Sequence, residues 1–216
     1  MPMLLPIDER RQIARLFNFL LMGEQIAQDC ASRQSRLFKD PLAQRFLQAQ
    51  ARQEGLHAKI FKAGIGILSP RGVGEPLARK QMEQYRTMLD KALLRGDALE
   101  SLLGMQVIFE GLGEVALTRI SAGFASRNLA FERVRKLVVG QEDAHHSFGL
   151  RQFQQLSSTT NNKLPGLRQQ GQLYLEILDD TLRTLEPLFD YFDENPQDYL
   201  AELKQVLPPE LELLPR

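Results

Sequence analysis

Apolar residues recur at intervals of three and four along nearly the whole chain, in four stretches that each exceed twenty residues. This spacing puts apolar side chains on one face of an α-helix, and the alternating runs typical of β-strands are nearly absent. Long amphipathic helices bury their apolar faces by packing side by side around an elongated core. The pattern therefore predicts an all-α protein built on a helical bundle.

Clusters of proline, glycine and polar residues divide this pattern into separate helices. We expect helices near residues 8–36, 42–66, 76–95, 97–122, 128–157, 166–192 and 197–206. The first, second, fourth and fifth are long enough for a four-helix bundle, and the third lies in a long crossover between the second and fourth. The prediction is one domain over 1–216, with the bundle at about 8–157 and a C-terminal helical extension at about 158–216.

The charge balance and the cysteine content exclude several classes of protein. The 27 Lys and Arg residues balance the 27 Asp and Glu residues, so no net positive charge favours nucleic acid or an anionic membrane. A single cysteine, Cys30, excludes a disulfide framework and fits a reducing compartment. The N-terminus has no basic segment before an apolar one, and no apolar run is long enough to span a bilayer. We expect a cytoplasmic protein that binds neither nucleic acid nor membrane.

A Gln-Glu-x-x-His motif occurs twice, at residues 53–57 and 141–145, and contains two of the three histidines. Residues three apart share a helix face, so the Glu and His of each copy point the same way. A further glutamate, Glu24 or Glu110, lies about thirty residues before each motif on an otherwise apolar helix face. In antiparallel helices these side chains meet at mid-bundle. The predicted metal ligands are Glu24, Glu54, His57, Glu110, Glu142 and His145.

Metal ions are needed because four buried carboxylates would repel one another, at a cost of several kcal/mol each. Six nitrogen and oxygen ligands without a thiolate suit iron or manganese better than a closed structural zinc site. One Glu-x-x-His alone is more often a surface ion pair. The second copy and the two upstream glutamates favour the dimetal interpretation, with either two irons or a mixed Mn/Fe pair.

Glu114 and His146 lie next to predicted ligands, and their own roles stay open. Glu114 lies one turn after Glu110 on the same face, so it is an extra ligand, a replacement for Glu110, or a salt-bridge partner. We favour Glu110. His146 points about 100° away from His145 on a helix, which favours a surface position or one that contacts the ligands.

The ligand pattern resembles the ferritin-like diiron-carboxylate superfamily over residues 10–157. Within it, Phe109-Glu110-Gly111 and the segment 145–149 are similar to aldehyde-deformylating oxygenases and to the ligand-binding oxidases related to the ribonucleotide reductase small subunit. The resemblance implies a ferritin-like bundle and a non-haem diiron enzyme that activates O₂ to oxidise a small organic substrate. No flavin, haem or iron–sulfur signature is present, which implies an external electron donor. We expect a monomer or small homo-oligomer.

Two other functions remain as alternatives: a ferroxidase or other iron-handling protein, and a tRNA-modifying diiron hydroxylase. Storage cages need extensive faces between subunits, which helices after residue 158 would partly cover. The balanced charge opposes tRNA binding.

The chain departs from its relatives beside the ligands. Phe61 stands one turn after His57, where the ribonucleotide reductase small subunit has a radical tyrosine, so we expect no stored tyrosyl radical. Gln141 stands before Glu142, where many relatives have Asp, and it accepts a hydrogen bond without bringing charge. We place Gln53, Gln141 and Phe61 around the ligands rather than among them.

Glycines are frequent beside the ligands, which indicates either close helix packing or space for O₂ and substrate. Apolar walls of such a space would favour an apolar substrate. The residues that would line it fit an ordinary hydrophobic core equally well, and they are Phe17, Leu20, Leu21, Phe61, Leu103, Phe109 and Phe148.

Overall fold

The computed structural model describes residues 6–126, 132–160 and 164–211. The helices within these ranges are α1 (Ile7–Gln34), α2 (Pro41–Leu68), α3 (Arg79–Leu94), α4 (Ala98–Leu102, continuing through Leu103–Phe109 and Glu110–Ser126), α5 (Glu132–Ser158), α6 (Leu164–Thr184), α7 (Glu186–Phe192) and α8 (Pro196–Val206). A short 3₁₀ turn, Pro209–Leu211, follows α8.

Helices α1 and α2 form a hairpin that packs along its whole length, and α4 packs against α5 beside it. Asp40 caps α2 by accepting hydrogen bonds from the backbone amides of Leu42 and Ala43, and Pro41 supplies a φ suited to the first turn. Helix α3 lies in the long connection between α2 and α4. The four-helix bundle with a helical crossover, predicted from the sequence, is confirmed.

Helix α4 contains an irregularity that the sequence pattern did not indicate. Leu103–Phe109 is π-helical, and the amide of Glu110 donates to the carbonyl of Met105, five residues earlier. The hydroxyl of Tyr85 donates to the Gly104 carbonyl at 2.5 Å inside this segment. A π-helical turn inserts one residue and rotates everything after it, so it determines where Glu110 points.

The C-terminal helices differ from the expectation of one helix over 166–192. The helix ends at Thr184 and a separate helix α7 begins at Glu186, with Pro187 in its first turn. Proline has no amide hydrogen to continue the α6 ladder, which explains the break. Helix α6 packs on α3 and on the π-helical segment, while α8 packs on α4, so the extension covers one side of the bundle.

One continuous apolar core joins the bundle to this extension. It includes Leu47 of α2, Leu103 of α4, Phe153 of α5 and Leu178 of α6, each at most 1% exposed. Within the described ranges, none of the helices combines the length and apolarity required to cross a bilayer.

Candidate metal centre

The six predicted ligands lie on the four bundle helices and converge at mid-bundle. Helix α1 supplies Glu24, α2 supplies Glu54 and His57, α4 supplies Glu110, and α5 supplies Glu142 and His145. Five of them are at most 4% exposed, and the Glu24 side chain is 11% exposed. Burial of so many ionisable groups in an apolar bundle needs compensating positive charge.

These residues form two overlapping groups of possible metal ligands. The first group is Glu24, Glu54, His57 and Glu142. The second group is Glu54, Glu110, Glu142 and His145. Within each group the ligand atoms lie within 4.8 Å of one another. Because both groups share Glu54 and Glu142, these two carboxylates can bridge a pair of ions.

Both imidazoles turn Nδ1 toward the carboxylates. His57 Nδ1 lies 3.1 Å from Glu54 Oε2 and 3.3 Å from both Glu24 Oε2 and Glu142 Oε1. His145 Nδ1 lies 2.9 Å from Glu54 Oε1 and 3.8 Å from Glu142 Oε2. Each imidazole therefore has one nitrogen available to an ion in its own group.

The other imidazole nitrogens are bound by the glutamines of the two motifs, in a crossed arrangement. His57 Nε2 lies 2.7 Å from Gln141 Oε1, and His145 Nε2 lies 2.8 Å from Gln53 Oε1. A glutamine oxygen is an acceptor, so Nε2 carries the hydrogen and Nδ1 keeps its lone pair when a metal is bound. Gln53 and Gln141 thus lie around the ligands, as the sequence predicted.

Unsatisfied polar atoms at the cluster fit metal ions. Both carboxylate oxygens of Glu54, Oε1 of Glu142 and Nδ1 of His145 are buried without a hydrogen-bond partner of good geometry. Buried polar atoms are nearly always satisfied, so such a concentration calls for an explanation. Ions between the two groups would satisfy all four atoms, and the donor set matches iron or manganese.

Without metal, protons balance the cluster. Burial raises the pKa of Glu110 well above its usual value, and the charges of Glu142 and Glu54 raise it further. Burial also raises the pKa of Glu24 well above its usual value, despite the opposing effect of His57. Burial alone would likewise raise the pKa of Glu54 and Glu142, but for both carboxyls the nearby imidazoles of His145 and His57 outweigh it and lower the pKa.

The pKa values of the two imidazoles are raised, whereas burial in apolar surroundings lowers the pKa of a histidine. Burial lowers the pKa of His57 and His145, but the surrounding carboxylates outweigh it. The net result raises the pKa of His57 to about 12 and that of His145 to about 9. Both imidazoles are therefore cationic at neutral pH in the metal-free protein.

Metal binding is expected to displace these protons. Loading two Zn²⁺ ions per chain at pH 7 should release one proton from each imidazole, and Glu24 and Glu110 add up to one each. Calorimetric titrations in buffers of different ionisation enthalpy count the protons. Above pH 9, where His145 is already neutral, its proton should disappear from the count. Binding of two ions at pH 7 with no proton release would contradict this charge balance.

Glu114 and His146 form a separate pair. His146 is 4% exposed, and its Nδ1 lies 2.8 Å from Oε2 of Glu114, whose side chain is 34% exposed. Neither residue belongs to the two ligand groups. The structure therefore brings Glu110, and not Glu114, into the cluster, and it buries His146 between helices rather than placing it at the surface.

An apolar cavity of about 140 Å³ adjoins the cluster. Three of the carboxylates, Glu24, Glu110 and Glu142, lie in its wall. The C-terminal extension also lines the cavity, through residues such as Leu182 of α6 and Leu188 of α7. This contribution was missed by the sequence analysis, because nothing in the apolar periodicity after residue 158 indicates which helix face meets the ligands.

Only Leu20 and Phe109 of the seven expected lining residues contact this cavity. For the other five the alternative holds, since they pack in the hydrophobic core: Phe17, Leu21, Phe61, Leu103 and Phe148. The rings of Phe17 and Phe61 pack together 5.3 Å apart, in a small cluster of their own. Which way these two rings point depends on how each helix is oriented about its own axis, and the spacing of the ligands alone does not specify that orientation.

The glycines beside the predicted ligands occupy two kinds of position. A Cβ on Gly149 would lie 2.2 Å from Cβ of Gln106, so this glycine allows α5 to approach the π-helical segment. Gly23 and Gly113 instead line the cavity.

Arg119 closes the polar side of the cavity. Its guanidinium binds Glu202 at 2.7 Å, Glu194 at 2.8 Å and Asp198 at 3.4 Å. It also lies 5.0 Å from the centre of the Tyr199 ring. These contacts tie α4 to α8 and to the segment before it.

No protein-family model matches this chain, and no curated protein matches it either. Among solved structures, the chain is similar to a Synechococcus protein described as protein 19 with aldehyde deformylating oxidase activity. The TM-score is 0.78 at 19% sequence identity, and the match covers 94% of this chain and 89% of that chain. This similarity concerns the fold, and it confirms the ferritin-like helical bundle predicted from the ligand pattern.

Proposed function

We propose that the protein is a non-haem dimetal oxidoreductase that activates O₂ to oxidise a small, apolar organic substrate. One observation carries the proposal: two ligand groups share Glu54 and Glu142 and border an apolar cavity. A structural metal site would have no need of adjoining space. The metal is an iron pair or a mixed Mn/Fe pair.

In this proposal the chain's own residues hold and orient the ions. Glu24 and His57 would hold one ion, Glu110 and His145 would hold the other, and Glu54 and Glu142 would serve both. The bound pair would supply the electron transfer to O₂ that protein side chains lack. Apolar walls exclude water from the substrate and strengthen electrostatic interactions at the carboxylates.

The electrons come from an external donor, since one cysteine cannot hold an iron–sulfur cluster. The activity named for the Synechococcus protein supports an organic substrate and makes aliphatic aldehydes the first compounds to test. We further propose that the protein works in the cytoplasm as a monomer or small homo-oligomer.

A substitution that fills the cavity tests this function. Ala116 lies in the cavity wall on α4, so Ala116→Phe should lower substrate oxidation at least tenfold while the protein still binds two ions. The assay reconstitutes the protein with Fe²⁺, reduces it chemically, adds O₂ and a series of aliphatic aldehydes, alcohols and acids, and identifies products by mass spectrometry. Thr118→Phe adds the same ring on the exposed side of the same helix and should leave oxidation unchanged.

Two results would contradict the proposal. One is equal oxidation by both phenylalanine variants, which would separate the cavity from the substrate. The other is continued oxidation of added Fe²⁺ far beyond two ions per chain, in a cage-sized assembly, which would indicate iron storage instead.

A further inference from the structure

Three fully buried glutamines lie behind the second ligand group and belong to neither group. Gln34 is on α1, Gln50 is on α2, and Gln106 is in the π-helical segment of α4. Each is 0% exposed. Buried amides cost free energy unless they are hydrogen-bonded, so their partners are informative.

Hydrogen bonds connect the three amides to Glu110. Gln34 and Gln106 exchange two hydrogen bonds, from Nε2 of each to Oε1 of the other, at 2.8 and 2.7 Å. Gln106 Nε2 also donates to Gln50 Oε1 at 3.4 Å, and Gln50 Nε2 donates to Glu110 Oε1 at 2.7 Å.

The amide orientations in the structure give these bonds a direction. Gln106 uses both amide hydrogens, one toward Gln34 and one toward Gln50. Gln50 must then turn its oxygen toward Gln106 and its NH₂ toward Glu110. Glu110 Oε1 consequently receives a hydrogen bond and serves as an acceptor.

Packing fixes Gln106 at the centre of this network. Gly149 of α5 lies against it so closely that even a methyl group there would overlap its side chain. The π-helical segment that carries Gln106 leads directly into Glu110, whose amide closes the last π-type hydrogen bond. Gln106 and Glu110 therefore lie on one continuous helical segment, held against α5 at Gln106.

We propose that Gln34, Gln50 and Gln106 are positioning residues that hold Glu110 Oε1 and leave its other oxygen for the ion of the second group. This inference rests on the proposed dimetal function. The network reaches the cluster through Glu110 of the second group, whereas Glu24, the corresponding residue of the first group, contacts His57 at 3.3 Å. The two ions should therefore respond differently when the network is broken.

The test removes the Gln50 amide in two backgrounds that each retain one complete ligand group. In His57→Ala the second group is intact, and in His145→Ala the first group is intact. Gln50→Met keeps the length of the side chain but has no donor. Calorimetry with Co²⁺ should show about ten- to a hundredfold weaker binding in the His57→Ala background and less than threefold weakening in the His145→Ala background.

A matched control uses the same substitution on the same helix. Gln44→Met removes an amide in the first turn of α2 that donates to the Phe38 carbonyl at 2.7 Å, outside the network, and should change neither affinity. In the otherwise unaltered chain, Gln50→Met should retain one tightly bound Co²⁺ and bind the second weakly. Circular dichroism of the metal-free variants checks that they fold.

The outcomes separate this inference from the proposed function. Equal weakening in both backgrounds, or none in either, would overturn the positioning role while two ions still bind the unaltered protein. If the unaltered protein binds no divalent ion, the dimetal function fails, and the positioning role fails with it.

Discussion

Metal-free protein titrated with Fe²⁺ under argon is expected to bind two ions per chain, and Glu54→Gln combined with Glu142→Gln should reduce this to near zero. The shared carboxylates belong to both ligand groups, so the double variant leaves each group with one carboxylate and one imidazole. Two ligands hold Fe²⁺ far more weakly than four. Glutamine preserves side-chain volume, which limits the effect to ligand charge. Metal content is measured by elemental analysis after gel filtration.

Two single variants, one helical turn apart on α4, test which glutamate of this helix binds metal. Glu110→Gln should lose one of the two ions, whereas Glu114→Gln should retain both, because Glu114 contacts His146 outside the ligand groups. Both substitutions replace one carboxyl group of α4 by an amide of similar size. Equal losses from the two variants would contradict the assignment of Glu110 as the ligand.

The convergence of the six candidate ligands could be predicted from the sequence because it depends on local geometry. A Glu and a His three residues apart share a helix face whatever surrounds the helix, and long antiparallel helices bring mid-helix residues together. The two motifs at residues 53–57 and 141–145 therefore predicted where Glu and His face each other. The spacing of about thirty residues before each motif predicted that Glu24 and Glu110 lie beside them. Gln53 and Gln141 stand directly before Glu54 and Glu142 in sequence, and each binds the histidine of the other motif.

Features that depend on contacts between helices could not be predicted in the same way. The π-helical segment 103–109 is an ordinary apolar run in sequence, and the Tyr85 hydroxyl that satisfies its Gly104 carbonyl comes from the crossover helix. The end of α6 before Leu185 is indicated in the sequence only by Pro187, which stands inside an otherwise helical pattern. Cavity residues such as Leu182 come from an extension whose packing face is set by tertiary contacts.

Metal binding should also raise the melting temperature strongly, because only the folded chain brings six ligands together. Free metal at a thousand times Kd adds about 4 kcal/mol per ion to the free energy of unfolding. In a domain of this size each kcal/mol raises the melting temperature by about 2–4 °C, so two ions should raise it by about 16 °C or more. Circular dichroism or calorimetry measures this, with Mn²⁺ in place of Fe²⁺ to avoid oxidation.

A chelator should reverse the shift, and the Glu54→Gln and Glu142→Gln double variant should not show it. The comparison distinguishes ions in the bundle from ions on the surface, since exposed acidic groups bind Mn²⁺ weakly and remain present in the variant. A surface effect would shift both proteins equally. Coincident melting curves for metal-free and metal-loaded wild-type protein would mean that folding does not assemble the two ligand groups, and the dimetal site would have to be abandoned.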